Sequence, residues 1–397
     1  MDSLTQIALG AAVAELTLGK KIGNKSILWG AIAGTIPDLD VLSKAFVDPL
    51  DALAFHRGFS HSFLFAFLAA AGLGPLVHWI YKSKHHHRIA LFCWCSLFLA
   101  IGIPILLSSI GLLFKVLAGI ILALILYSLY NKYRSPKSIQ SEATRWDWTK
   151  LFFWAIVTHP ILDCFTTYGT QLFQPFSDYR VSFNNISVAD PLYTIPLIIC
   201  LFLMSRKLKT DDKRRMIMWI GILISSAYML FTIWNKSRIN SVFEKTLQAE
   251  NIEYKRYMTS PSILNNVLWF CLAERENDYV FGLYSVFDKK KEVQLETLDK
   301  NWNFLDAQKD DKVINTLRWF SNDYYAVMIR RDGSLQINDM RFGTFDGSAK
   351  NEESYIFRFG VARKSDGSYV LTDEQAGPPN DKRADIFKVL WERIKGI

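Results

Sequence analysis

Residues 216–234 read MIMWIGILISSAYMLFTIW, and residues 235–255 continue NKSRINSVFEKTLQAENIEYK. The first stretch carries no charge and is long enough, as a helix, to cross about 30 Å of hydrocarbon. In the second, charged residues recur every few positions, and no later run is apolar for long enough to span. We therefore expect a membrane domain over residues 1–235 and a soluble domain over 236–397.

Upstream of that boundary, residues 59–81, 89–107, 112–130 and 191–205 are further apolar runs of spanning or near-spanning length. Residues 4–18, 27–36 and 151–165 are shorter or more polar, and cross only if buried among other helices. The expected fold is a membrane all-α helical bundle of about eight helices, followed by a soluble α+β domain.

The net charge of +8 would point to nucleic acid if the basic residues striped a soluble surface. Instead they cluster in short loops: Lys20, Lys21 and Lys25; Lys82, Lys84 and Arg88; Lys132, Arg134, Lys137, Arg145 and Lys150; and Arg206, Lys207, Lys209, Lys213, Arg214 and Arg215. That is the cytoplasmic-loop signature of a multi-pass protein. Little beyond Lys44, Arg57 and Arg180 is left for the other side, which fits eight crossings with both termini outside. With no Gly-rich phosphate loop, zinc-finger spacing or aromatic RNA-binding signature, we expect no nucleic-acid partner. Five scattered cysteines make no disulfide framework. Asp2 stands where a leader peptide would be basic, and we expect the N-terminus to be retained.

Ionisable groups at the ends of apolar helices are costly unless paired, hydrated or metal-bound. In GTIPDLDVL, Gly34 and Pro37 break a helix just before Asp38 and Asp40, which act either as metal carboxylates or as a helix cap. In FHRGFSHSF, Gly58 allows a bend and Ser60 can cap the following helix, so that His56 and His61 face one site. Arg57 between them serves either an anionic substrate oxygen or an interfacial anchor. In THPILDCFTTYGT, His159 and Asp163 are four apart and share a helix face, as two ligands or as ligand and orienter. Of seven histidines, His85, His86 and His87 sit in a basic loop and His78 near that end of its run; the other three all belong to this constellation.

MDSLTQ, GTIPDLD, HRGFSHS, HPILDCFTTYGTQLFQPFSDYR and ADPLYTIP, in this order, resemble the YdjM-like membrane-bound metal-dependent hydrolases over residues 1–235. A more distant likeness joins the pattern to zinc-dependent phospholipases C and related nucleases. The resemblance implies an inner-membrane hydrolase in which Asp38, Asp40, His56, His61, His159 and Asp163 hold one to three divalent ions, most simply Zn2+. The more distant likeness suggests a phosphoester bond; the basic loops place the constellation and the C-terminal domain on the non-cytoplasmic side, and a site where apolar spans meet water makes a lipid or lipid-linked phosphate the expected substrate. Asp2, Gln6, Arg57, Tyr168, Asp178, Arg180 and Asp190 are the expected substrate-binding or supporting residues. Where the family carries Thr-His this chain has Thr5-Gln6, and for Gln6 only a polar role is expected. Asp190 has a second reading as the cap of the helix opening at Pro191. Two other functions use the same residues: an Asp/His cation or proton transporter, or a membrane-anchored sensor or scaffold.

From residue 235 onward we expect a helix over 237–250, strands over 279–287, 324–329 and 355–361, and a terminal helix over 382–395. In that terminal helix Ile386, Val389, Leu390 and Ile394 recur at helical spacing. This half offers no imidazole and one thiol, Cys271, so we place no zinc site there. The substrate's identity and the oligomeric state are not legible.

Overall fold

A computed structural model describes residues 1–397 apart from 109–110, 135–141, 306–309, 346, 348, 350, 377–382 and 397. Lys137, and position 382 where the terminal helix is expected to begin, lie outside the described residues.

Among the described residues, nine α-helices build the N-terminal half: α1 Ser3–Ile22, α2 Lys25–Thr35, α3 Pro49–Phe55, α4 Phe63–Lys82, α5 His86–Leu107, α6 Leu112–Tyr133, α7 Arg145–Asp163, α8 Pro191–Ser205 and α9 Asp212–Ala249. The expected bundle of about eight helices is helical as foreseen, with nine in place of eight among the described residues. Four of these helices, α4, α5, α6 and α9, are long and apolar enough to cross a membrane, and α8 is apolar but shorter. Helices α1 and α7 have the length but not the hydropathy, because their faces look inward onto protein. Helix α1 packs closely on α2, and a Cβ at Gly34 would stand 2.6 Å from the Gln6 carbonyl oxygen. Helix α7 opens on a Thr144–Asp147 capping box and buries Trp148, Leu151, Phe152 and Ile156 against α4 and α1.

The charges separate the two ends of the bundle. At one end Lys21 pairs with Asp147 at 2.6 Å, Lys20 with Asp212 at 3.5 Å, and Lys25 lies over the Tyr81 ring. There the buried Arg214 guanidinium grips Glu15, with Nη2 2.7 Å from Oε2. At the other end are the start of α1, the end of α2, a 3-10 turn over Pro37–Ala45, the entry to α4 and the end of α7.

The change of character after Trp234 falls within a single helix. Helix α9 runs 38 residues, absorbing both the span expected over 216–234 and the helix expected over 237–250. Polar Asn235 does not end it, because its side-chain amide donates to Asn266 of the following domain. That domain holds two antiparallel meanders: β1 Arg256–Pro261, β2 Leu268–Glu274, β3 Asp278–Ser285 and β4 Glu296–Asp299, then β5 Tyr325–Ile329, β6 Leu335–Asp339, β7 Phe357–Arg363 and β8 Tyr369–Ala376. Helices α10 Lys312–Ser321 and α11 Arg383–Ile394 complete it. The expected strands are β3, β5 and β7, displaced by one or two residues at their ends. A core of Leu317, Phe320, Val327 and Phe359 continues into Leu50, Leu53 and Tyr168, so apolar packing ties this domain to the end of the bundle that carries Asp38 and His61.

Candidate metal centre

Pro37 has no N–H to offer and its ring crowds the preceding turn, so α2 gives way there to the 3-10 turn that presents Asp38. His61 ends a second short turn, Phe59–His61, immediately before α4. The cap of α4 is Ser62, whose Oγ accepts from Phe65 N at 3.0 Å, and not Ser60 as the spacing had led us to expect. A cap directly after His61 fixes that ring at the mouth of the helix. His159 and Asp163 come from the last turns of α7 and, at i and i+4, share its inner face.

These segments bring four side chains together. Ligating atoms of Asp38, His61, His159 and Asp163 all lie within 4.8 Å of one another. Asp38 Oδ1 is 3.5 Å from His61 Nε2 and 3.3 Å from His159 Nε2, and Asp163 Oδ2 is 3.4 Å from each of the same nitrogens. His61, His159 and Asp163 are fully enclosed, whereas the Asp38 side chain keeps 20 % of its surface in solvent. His61 Nε2, His159 Nε2 and Asp163 Oδ2 are buried without a hydrogen-bond partner. Orphaned buried polar atoms are rare and costly. Here they aim at a shared centre rather than at one another.

The chemistry of the donor set fits a divalent cation. With ligand distances of about 2.0–2.2 Å, a tetrahedral zinc site has donor–donor edges of about 3.3–3.6 Å. The four imidazole–carboxylate separations fall in that range. Each ring's other nitrogen is engaged. His159 Nδ1 is 2.6 Å from the Gly34 carbonyl oxygen, an acceptor, so Nδ1 carries the proton and Nε2 the lone pair. His61 Nδ1 contacts Ser60 Oγ at 3.0 Å and Asp40 Oδ2 at 3.3 Å.

Asp40 and His56 stand beside this quartet, outside it. Asp40 accepts from Arg57 N at 3.0 Å and Ser60 Oγ at 2.8 Å, and meets His56 Nδ1 at 2.8 Å, so it knits the loop that carries both histidines. Burial disfavours the Asp38 and Asp40 charges, but the neighbouring imidazoles outweigh it and hold both carboxyls well below the usual range. His61 shows the same balance in reverse: burial alone would lower it, while Asp163, Asp38 and Asp40 raise it to about 10.

Arg57 lies over the cluster, buried, with its backbone at φ +57. That left-handed conformation is strained for a side chain with a Cβ and tends to persist at functional sites. Its Nε is 3.3 Å from Asp163 Oδ2, its Nη1 donates to Thr166 Oγ1 at 3.0 Å, and its guanidinium stacks 4.8 Å from the Tyr168 ring centre. Gln6 Nε2 donates to Asp163 Oδ1 at 2.9 Å, where the Met1 amine also bonds. Asp2 caps α1 by accepting from Thr5 N, and Asp190 caps α8 by accepting from Leu192 N and from Tyr228 Oη. Asp178 and Arg180 line a separate cavity against the C-terminal domain. Neither the Gly34 carbonyl nor Ser60 Oγ was foreseen as a contact of the histidines. The Gly-Thr-Ile-Pro break marks the place, but a backbone acceptor leaves no side-chain signal.

A helical membrane half with a buried two-histidine, two-aspartate cluster at one end defines an integral membrane protein with a candidate metal site. The family model described as YdjM inner membrane protein matches residues 1–110 and 111–239, more than half of the chain, and the protein belongs to that family. No curated protein and no solved structure matches it.

Proposed function

We propose that the protein is a metal-dependent hydrolase of a phosphoester in a lipid or lipid-linked substrate, working at the outer surface of the inner membrane. The observation that carries this reading is the set of four imidazole–carboxylate edges of 3.3–3.5 Å around one centre. Asp38, His61, His159 and Asp163 are the proposed ligands. A divalent ion bound there, most simply zinc, supplies a Lewis acid that lowers the pKa of water toward about 7 and polarises the phosphoryl oxygen.

The remaining roles belong to the chain. Arg57 is placed to meet anionic oxygens as charge builds on phosphorus. His56, held by Asp40 and partly exposed, is the proposed proton carrier between the site and water. Asp40 and Gly34 orient the two ligand rings.

A lipid substrate is favoured by the rim. Beside Asp38 the turn exposes Leu39, Leu42 and Phe46, the last 87 % exposed, and the loop after α7 exposes Phe173 and Phe176. Such side chains belong in an interface where acyl chains meet headgroups. The basic helix ends opposite this rim favour placing the rim and the C-terminal domain on the non-cytoplasmic side.

The test is metal content of the detergent-purified full chain together with turnover of bis-p-nitrophenyl phosphate and of phospholipid micelles. Stoichiometric metal with chelator-sensitive turnover supports the reading, and both should vanish in Asp163→Ala. Ion flux in proteoliposomes without hydrolysis would favour a transporter instead.

A further inference from the structure

Between the loop that follows α7 and the C-terminal domain lies a cavity of about 360 Å3, whose walls include Arg180 and Ser182 from the loop and Trp319, Asn322, Tyr324 and Arg341 from the domain. Arg180 is its unusual member. The guanidinium carbon sits 4.6 Å from the ring centres of Tyr168 and Phe320 and 5.1 Å from that of Trp319, so three π faces surround it. Nη2 donates to the Tyr168 carbonyl, whereas Nε and Nη1 are buried without a hydrogen-bond partner. Among the described residues no carboxylate forms an ion pair with it. Arg341 by contrast is matched by Asp339 at 2.6 Å. Asp178, the one carboxylate among the described lining residues, is exposed.

A guanidinium with two unmade N–H bonds and no ion-pair partner among the described residues costs free energy that anionic oxygens would recover, and its planar fork matches a phosphate. We propose that this cavity is a second binding site of the protein, one that takes a phosphate group through Arg180, with the Asn322 side-chain amide as an additional hydrogen-bond donor. It is distinct from the metal centre and does not depend on the hydrolase reading. The two sites are neighbours all the same: the Arg57 and Arg180 guanidinium carbons lie 4.8 and 4.6 Å from the same Tyr168 ring centre. The C-terminal domain thereby supplies half of a ligand site next to the metal cluster.

The experiment is calorimetric titration of the full-length, chelator-stripped protein in detergent with glycerol 3-phosphate and, separately, with dihexanoyl phosphatidic acid. The stripped protein is expected to bind, and Arg180→Gln and Asn322→Asp each to weaken binding at least tenfold. Asn322→Asp places a negative charge at the cavity wall without disturbing the ring stack, so the test stands even if Arg180→Gln loosens the domains. Binding of both ligands identifies a phosphate site open to soluble anions, and binding of the lipid alone identifies a headgroup site. Unchanged affinity in both variants, or binding that disappears on stripping, overturns the proposal. Metal content and turnover of the same preparations, measured before stripping, report on the hydrolase reading independently.

Discussion

The imidazole of His159 donates from Nδ1 to the carbonyl oxygen of Gly34 across 2.6 Å, which leaves Nε2 as the lone-pair atom 3.3 Å from Asp38 Oδ1. A backbone group at the end of α2 thus sets the direction of a side chain on α7. The close approach of α1 and α2 at Gly34 is therefore coupled to the geometry of the proposed metal site.

Gly34→Ala tests that coupling. The added Cβ would lie 2.6 Å from the Gln6 carbonyl oxygen, so the helices must part, at a cost of about 1–3 kcal/mol. The His159 acceptor moves with them, and metal affinity should fall roughly 10- to 100-fold. Competition with a metal-sensitive chelator measures it; unchanged affinity would separate the glycine from the site.

His56 and His159 should respond differently to truncation. His159→Ala removes a proposed ligand and should leave the purified protein with little metal. His56→Ala, whose ring bonds Asp40 outside the quartet, should retain near-stoichiometric metal but lose turnover by roughly 10²- to 10⁴-fold, the usual range for a proton carrier. Equal metal loss in both variants, read by elemental analysis, would make His56 a ligand.

The metal-stripped protein should lose stability as pH rises. The folded-state pKa of His61 is raised from 6.5 to about 10. Its contribution is therefore complete below pH 6.5 and is lost progressively as pH climbs through about 10. Metal loading should reverse the slope, because ligation needs the deprotonated ring and the cation stabilises more as protons become scarce. Denaturation midpoints of stripped and loaded samples across that window check both signs.

At the opposite end of the bundle, Arg214→Met should cost about 3–5 kcal/mol by leaving the buried Glu15 carboxylate without its partner. Adding Glu15→Met should recover most of that loss. Metal content should stay near wild type in both, and chemical denaturation in detergent measures the energies.

Much of the cluster was legible because aspartates and histidines interrupting apolar runs are too costly to be idle. The division between Asp38 and Asp40 was not. In a 3-10 turn, with about three residues per turn, positions two apart point to different sides, so one carboxylate faces the centre and the other the supporting loop. A turn type of that kind is not written in an Asp-x-Asp spacing.

The same limit governs the fold. Runs 89–107 and 112–130 are apolar on every side and became α5 and α6. Helices α1 and α7 carry Gln6, Glu15, His159 and Asp163 on inward faces, so their hydropathy reports burial in protein, not contact with lipid. In the C-terminal domain β2 is buried at every residue, and a strand covered on both faces shows no alternation to read.

The central claim is met most directly by X-ray absorption at the zinc edge of the loaded, full-length protein. The account predicts a first shell of nitrogen and oxygen at about 2.0–2.2 Å that includes two imidazoles, with one imidazole lost in His159→Ala. A shell containing sulfur, or one that keeps both imidazoles in that variant, would contradict it.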